Sequence, residues 1–321
     1  MKISVVIPTY KRPELLLRCL AAISKQSLAH TDFEVIVVSD GPDHEIQQYL
    51  VKRKYTNKLN LRFLHTSEKK GPAAARNMGW LMARARLVAF TDDDCIPDQH
   101  WLRTIDSSYK QQPYIAFTGK TIVPLEGVPT DFASNTAQLQ HAEFITANCA
   151  CTKAALILAG GFDERFKLAW REDSDLQFKL LLHHVPIVHL HDAVIVHPVR
   201  AARWGLSIKE QKKGIYDALL FKKYPHLYRS KVNTGILWQY YFTIVLWGSL
   251  PIFYGLHFFT VLWIAAALLF FMITLFLYKR LRHTTKSVSH ITEMLITSIA
   301  IPFFSVYWRL YGAIKFRVFF I

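Results

Sequence analysis

Residues 87–94 read LVAFTDDD: four apolar residues, Leu87 to Phe90, run straight into Thr91 and the three carboxylates Asp92, Asp93 and Asp94. A short apolar run without alternation suits a strand buried on both faces, as in a parallel sheet. Three like charges at its end repel one another. Either they form a solvated turn, or something positive, such as a divalent cation, sits against them. On extended backbone, residues i and i+2 point to one side, so Asp92 and Asp94 can reach one cation or its ligands.

Working outward, Ile3 to Ile7 is another continuous apolar strand, and Pro13 opens a helix whose apolar positions Leu16, Cys19, Leu20 and Ile23 recur at helical spacing. Phe33 to Val38 is a second strand, stopped by Ser39-Asp40-Gly41-Pro42. A mixed helix to about Lys54, a strand from Leu61 to Leu64, and an alanine-rich helix from Gly71-Pro72 to about Arg86 complete the run up to Leu87. Strand and helix alternate throughout, which predicts a doubly wound α/β fold with a mostly parallel sheet. Ligands of such sheets bind outside the carboxyl ends of the strands. Three of the four strand ends carry polar chemistry: Pro8-Thr9-Tyr10-Lys11-Arg12, Ser39-Asp40-Gly41 and Thr91 to Asp94. Neither GxGxxG nor GxxxxGK[ST] occurs, so the glycine loops that cradle phosphates in dinucleotide and P-loop folds are missing. Mg²⁺ or Mn²⁺, held by carboxylates and shared with phosphate oxygens, would supply the counter-charge instead.

Lys and Arg number 39 against 24 Asp and Glu, a net +15 that suits an anionic partner. The four cysteines (Cys19, Cys95, Cys149, Cys151) form no CxxC pair and read as reduced thiols in a cytosol-facing protein. The first strand begins at Ile3, too early for a cleavable signal before it. From Val232 to Tyr278 the chain has 47 residues without Asp, Glu, Lys or Arg. A membrane-spanning helix needs about 20, so the run predicts a hairpin of two spans turning at Pro251 to His257. Nine Lys/Arg against two acids between Arg200 and Lys231, and Lys279-Arg280-Leu281-Arg282 beyond, put both hairpin ends on the cytoplasmic side. Met294 to Trp308 is a further apolar stretch, read as an interfacial or re-entrant helix with Tyr307, Trp308 and Tyr311 at headgroup level. The expected domains are therefore 1–231 (core motifs 1–200, a basic juxtamembrane part 200–231), a transmembrane hairpin 232–278, and a basic loop with the interfacial or re-entrant helix at 279–321.

Six motifs in order, SVVIPTYKR, SDG at 39–41, GPAAARNMG at 71–79, TDDD at 91–94, GGFDERF at 160–166 and WREDSDL at 170–176, resemble those of family 2 glycosyltransferases. The resemblance covers about residues 1–200 and implies the GT-A fold, with a Rossmann-like, mostly parallel central sheet and a nucleotide-diphosphate sugar as donor. It places Pro8, Thr9, Tyr10 and Arg12 at the nucleoside, Asp40 at the base and Arg76 near the nucleotide. In the DxD segment it makes Asp94 the direct metal ligand and Asp92 a ribose or metal contact. Asp93, counted with the donor-binding residues, points away. By the same resemblance Asp173 is the base of an inverting displacement, Glu172 orients the acceptor or caps the helix, and His197 joins the metal or diphosphate. Taken as a sequence alone, Glu172, Asp173 and Asp175 also suit the first turn of a helix, where acids favour the macrodipole.

The QxxRW-type signature of the processive polymerases is missing where Glu210-Gln211-Lys212-Lys213-Gly214 stands, and two spans are too few for a polysaccharide channel. The expectation is a single-sugar transferase at the inner membrane, its catalytic domain facing the cytosol. Its acceptor would be a lipid-linked (polyprenyl) glycan used in cell-surface polysaccharide or glycoconjugate synthesis. Membrane lipids are expected partners, a homo-oligomer is left open, and nucleic acid is not expected because the basic residues gather beside the apolar segment. Two alternatives stand beside this reading. A sugar nucleotidyltransferase would need a glycine-rich, lysine-bearing first loop, which Pro8-Thr9-Tyr10 is not. An inactive membrane scaffold would have no need of Asp92, Asp94 and Asp173.

Overall fold

Every residue of β1 (Ile3–Thr9) and β2 (Phe33–Ser39) is buried, as their unbroken apolar runs require of strands covered on both faces. The computed structural model describes residues 1–52, 59–232, 235 and 237–320. The expected helix end near Lys54 lies outside the described residues, as do positions 233, 234 and 236 of the expected hairpin. The chain divides into two compact units, Met1–Pro124 with Ala137–Val199, and Leu125–Thr136 with Arg200–Ile321.

In the first unit the remaining strands are β3 (Leu61–His65), β4 (Leu87–Phe90), β5 (Ile96–Pro97), β6 (Ala116–Ile122), β7 (Cys149–Thr152) and β8 (Ile187–Val196). They form one eight-stranded sheet in the order β3-β2-β1-β4-β7-β6-β8-β5. The pairs among β1 to β4 are parallel, as is β6 with β8; β7 runs antiparallel to β4 and β6, and β5 to β8. This mixed, mostly parallel sheet agrees with the expected α/β class.

Helices cover both faces. On one side Val5 and Ile7 meet Leu16, Leu20 and Ile23 of α1 (Pro13–Ile23), Ile46 and Leu50 of α2 (His44–Lys52), and Trp101, Leu102 and Ile105 of α4 (Trp101–Ser108). On the other, Val6, Val38 and Phe90 meet Ala73, Ala75 and Trp80 of α3 (Pro72–Leu81), Leu156 of α5 (Lys153–Ala159) and Leu176 and Leu180 of α6 (Glu172–Leu182). Val5 and Val6 face opposite ways because strand side chains alternate. Each such large side chain contributes about 1.5–3 kcal/mol on burial.

The register between β6 and β8 jumps. Gly119 pairs with Leu190 but Lys120 pairs with Val194, so His191, Asp192 and Ala193 bulge out of the ladder. Buried Asn148 closes the gap, donating through Nδ2 to the Lys120 and Ala193 carbonyls (2.9 and 3.0 Å) and accepting from Trp101 Nε1 (2.9 Å). A Cβ on Gly119 would stand 2.2 Å from the Ala193 oxygen and 2.5 Å from Asn148 Oδ1, so only glycine admits this closure.

The second unit contains α7 (Gly214–Lys223), α8 (Trp238–Gly255), α9 (Phe259–Leu281) and α10 (Val288–Phe316). Within the charge-free run the chain turns at Leu256 to Phe258, with His257 at φ 57°, while Pro251 lies inside α8. Among the described residues, α9 and α10 are the helices long and apolar enough to cross a membrane. The stretch 294–308 belongs to α10, one unbroken 29-residue helix with Pro302 inside it. Large apolar side chains of α9 face outward, Phe270 at 74% exposure and Trp263 at 72%. Near the C-terminal end of α9, buried Arg280 donates to Thr297 Oγ1 (2.6 Å), Ser298 Oγ (3.1 Å), Asp131 Oδ2 (2.8 Å) and Ser207 Oγ (3.2 Å). A buried charge needs this degree of pairing to be tolerated, and the Asp131 pair holds the segment 125–136 within this unit.

Candidate active site

The three strand ends read from the sequence carry a connected set of charged groups. At the end of β1, Thr9 Oγ1 donates to Asp93 Oδ2 (2.8 Å) and Arg12 Nη1 to Asp93 Oδ1 (3.4 Å). Pro8 is buried within the strand. Tyr10 is half-buried, with Lys69 Nζ 4.1 Å from its ring centre. Lys11 adopts a left-handed φ of 51°, and its amide donates to Asp43 Oδ2 (3.0 Å). Non-glycine residues in this region store strain and gather at functional sites.

At the end of β2, buried Asp40 uses Oδ1 to accept from the Lys70 and Gly71 amides (2.7 and 2.8 Å). Gly71 has φ 105°, and a Cβ there would meet the Lys167 carbonyl oxygen at 2.7 Å, so glycine is required where the loop enters α3. Asp40 thus fixes the 70–71 turn with one oxygen, and Oδ2 accepts from no described residue.

The three carboxylates after β4 have three different partners. The Cys95 amide donates to the Asp92 carbonyl (3.1 Å), closing a turn over 92–95. Side-chain alternation holds only on extended backbone, so this turn sends the carboxylates apart. Asp92 Oδ1 accepts from Arg76 Nη2 (2.7 Å). Asp93 lies beneath Thr9 and Arg12, and burial pushes its carboxyl up to about 6 against the pull of the Arg12 charge. Asp94 Oδ1 lies 3.6 Å from Nε2 of buried His197, which follows β8.

Arg76 joins this end to the second acidic cluster. Fully buried on α3, it also donates from Nη1 to Glu172 Oε1 (3.1 Å). Burial disfavours the guanidinium charge, but Asp92 and Glu172 more than offset this, and its pKa is raised. Arg171 stands in the left-handed region at φ 73° and starts α6. Of the three acids in that first turn, Asp175 pairs with Lys179 at 3.0 Å and is structural. Glu172 is buried against Arg76, and burial pushes it up to about 7. Asp173 is only partly buried, and its Oδ1 accepts from the Ser174 amide (2.7 Å). Its carboxyl is also raised, by burial first, against the Ser174 amide and the Arg171 and Arg76 charges. A part-exposed carboxylate with raised proton affinity is suited to accept a proton.

Asp94, Cys95 and His197 bring ligand atoms within 4.8 Å of one another, and Asp92 is not in that group. Nδ1 of His197 is buried without a hydrogen-bond partner. Carboxylate oxygen and imidazole nitrogen suit Mg²⁺ or Mn²⁺. The Cys95 sulfur does not, because a soft thiolate is a poor partner for these hard cations; without a cation, burial and the Asp92 and Asp94 charges push its thiol well above its usual range.

Sequence reasoning missed Asp43, the Lys69–Tyr10 stacking and the bridging role of Arg76. Asp43, three residues after Asp40, offered a capping pattern ahead of α2, and it does accept from Ile46 N at 3.0 Å. For Arg76, no local signal distinguishes a surface arginine from one buried between two acids far apart in sequence.

A mostly parallel sheet with acidic and basic side chains gathered at its strand ends, and helices on both faces, is the doubly wound arrangement expected of a GT-A fold. The description "Glycosyl transferase family 2" matches residues 4–166, half of the chain, and the chain belongs to that family. It is 23% identical over 270 residues to a hyaluronan synthase of Pasteurella multocida, covering 71% of this chain and 28% of that protein. It is 35% identical over 101 residues to glycosyltransferase AglE of Haloferax volcanii, covering 31% and 33%. The chain spans about a third of the length of these curated relatives. In fold it resembles a mannosyltransferase of Pyrobaculum calidifontis solved with GDP-Man and Mn²⁺ (TM-score 0.57, 20% identity), over 95% of this chain and 87% of that one.

Proposed function

We propose that this chain is an inverting, metal-dependent glycosyltransferase that moves a sugar from a nucleotide-diphosphate sugar to a hydroxyl acceptor. The observation that carries the reading is Asp173: partly exposed, raised in proton affinity, and next in the chain to Glu172, whose pair with Arg76 continues to Asp92 after β4. Asp173 takes the proton from the acceptor hydroxyl as that oxygen forms its bond to the anomeric carbon. The bond to the diphosphate breaks in the same displacement, so no enzyme nucleophile is required. Asp94 and His197 would hold a divalent cation, which supplies Lewis-acid stabilisation to the departing diphosphate. In this reading Asp40 Oδ2 would accept from a nucleobase N–H, with Tyr10 and Arg12 beside the nucleoside. Asp92 and Asp93, bound to Arg76, Thr9 and Arg12, position the segment that carries Asp94.

The acceptor in this reading is lipid-linked and the chain sits at the inner membrane with its catalytic unit in the cytosol. The outward apolar side chains of α9, the length of α10, and the basic residues of 200–231 support it. Each Lys or Arg adds about 1 kcal/mol at an anionic surface. The test is nucleoside-diphosphate release from a panel of nucleotide sugars with Mn²⁺, with Mg²⁺, and with EDTA. Release from one donor should require the metal and weaken in Asp94→Asn and His197→Ala; metal-independent release would contradict the assignment.

A further inference from the structure

A cleft of about 260 Å³ opens on the first unit, lined by Lys120, Thr121, Gln140, His189 and His191. No carboxylate lines it among the described residues. Its side chains instead offer an ammonium, two imidazoles, an amide and a hydroxyl, a set rich in donors. The His189 and His191 rings lie 4.4 Å apart between centres.

The cleft is built at the β6–β8 irregularity. The three-residue bulge begins at His191, and the Gly119–Asn148–Trp101 arrangement that closes it is buried and fully hydrogen-bonded. Bulges of this kind re-aim side chains and occur beside active sites. The strand that lines the cleft also runs beside His197: Thr121 precedes Ile122, whose carbonyl accepts from the His197 amide (2.8 Å). The proton affinity of His189 is lowered, by burial first and then by His191. Each ring can still donate an N–H to an anion at the mouth of the cleft.

We propose that this cleft is an acceptor subsite that binds a phosphate group of the acceptor, through Lys120, His189 and His191. The inference rests on the transferase reading and names the acceptor's chemistry. The phosphate could be carried by a lipid or by a phosphorylated polyol chain, and the test separates them.

The full chain in detergent would be titrated calorimetrically with glycerol 3-phosphate, and with glycerol as the neutral control, with and without saturating UDP, GDP and Mn²⁺. Saturable binding of the phosphate alone is expected, undisturbed by nucleotide. It should be about tenfold weaker in Lys120→Ala and in His189→Ala/His191→Ala, as loss of a charge-assisted hydrogen bond implies. All three replaced side chains are exposed, so the variants should keep their fold. No binding, equal affinity in the variants, equal binding of glycerol, or displacement by nucleotide would each overturn the proposal. In phosphatidylcholine nanodiscs with and without undecaprenyl phosphate, tighter binding of the lipid than of glycerol 3-phosphate identifies a lipid source; equal or weaker binding identifies a polyol phosphate. Water-driven nucleoside-diphosphate release in the same preparations, compared between wild type and Asp173→Asn, reads the transferase assignment separately.

Discussion

Arg76, all but sealed from solvent, is held by two carboxylates from different parts of the chain, half-buried Asp92 at 2.7 Å and buried Glu172 at 3.1 Å. Removing one partner of a buried ion pair costs about 3–5 kcal/mol, because the other charge is left uncompensated. Arg76→Ala should therefore lower unfolding stability by that amount in denaturant titration, and Arg76→Lys should recover only part of it, since an ammonium cannot fork to both acids. Asp173 makes a separate prediction. Its carboxyl is raised from the 3.8 of a free aspartate, and a base works only when deprotonated. Activity should fall as pH falls through that raised pKa, so the acid limb of the kcat/KM profile should lie above pH 3.8. Glu172, pushed up to about 7, is close enough that the limb belongs to the pair rather than to either residue.

At the scale of elements, the β6–β8 bulge depends on one side chain. Asn148→Ala would orphan Trp101 Nε1 and the Lys120 and Ala193 carbonyls, at ~1–3 kcal/mol for each buried group left unpaired. Unfolding stability should fall by about 3–9 kcal/mol in denaturant titration, and Asn148→Asp should not restore it, because a carboxylate cannot donate to the carbonyls. Nothing in the local sequence announces this device. The β1, β2 and β4 strands, by contrast, were legible because burial on both faces imposes continuous apolar runs, and α1 because Leu16, Cys19, Leu20 and Ile23 repeat at the helical period. TDDD was legible as a carboxylate cluster at a strand end but not in its geometry: the 92–95 turn, set by a backbone hydrogen bond, decides that Asp92 meets Arg76 while Asp94 meets His197. The turn after α8 begins at Leu256 rather than Pro251, since a proline inside a helix removes one hydrogen bond without ending it where packing continues.

Across the whole molecule, the chain leaves the catalytic sheet at Pro124, joins the second unit through the Arg280–Asp131 pair, and returns at Ala137 before leaving again at Val199. The inserted segment 125–136 gives no sign of this in its sequence, because its partners lie about 150 residues away. The run of 47 residues without an acid or a Lys/Arg reads as two spans, whereas among the described residues α9, which starts within it, and α10 beyond it are the helices long and apolar enough to cross a membrane. If the second unit sits in a bilayer, the acceptor should be presented from that bilayer to Asp173. The most direct measurement is nucleoside-diphosphate release by membranes containing the chain, with and without added lipid extract, for wild type and Asp173→Asn. Lipid-stimulated release that drops by ~10²–10⁴ in the variant, with nucleotide binding unchanged, is the predicted result. Equal release from both proteins would contradict it and remove Asp173 from the role of base.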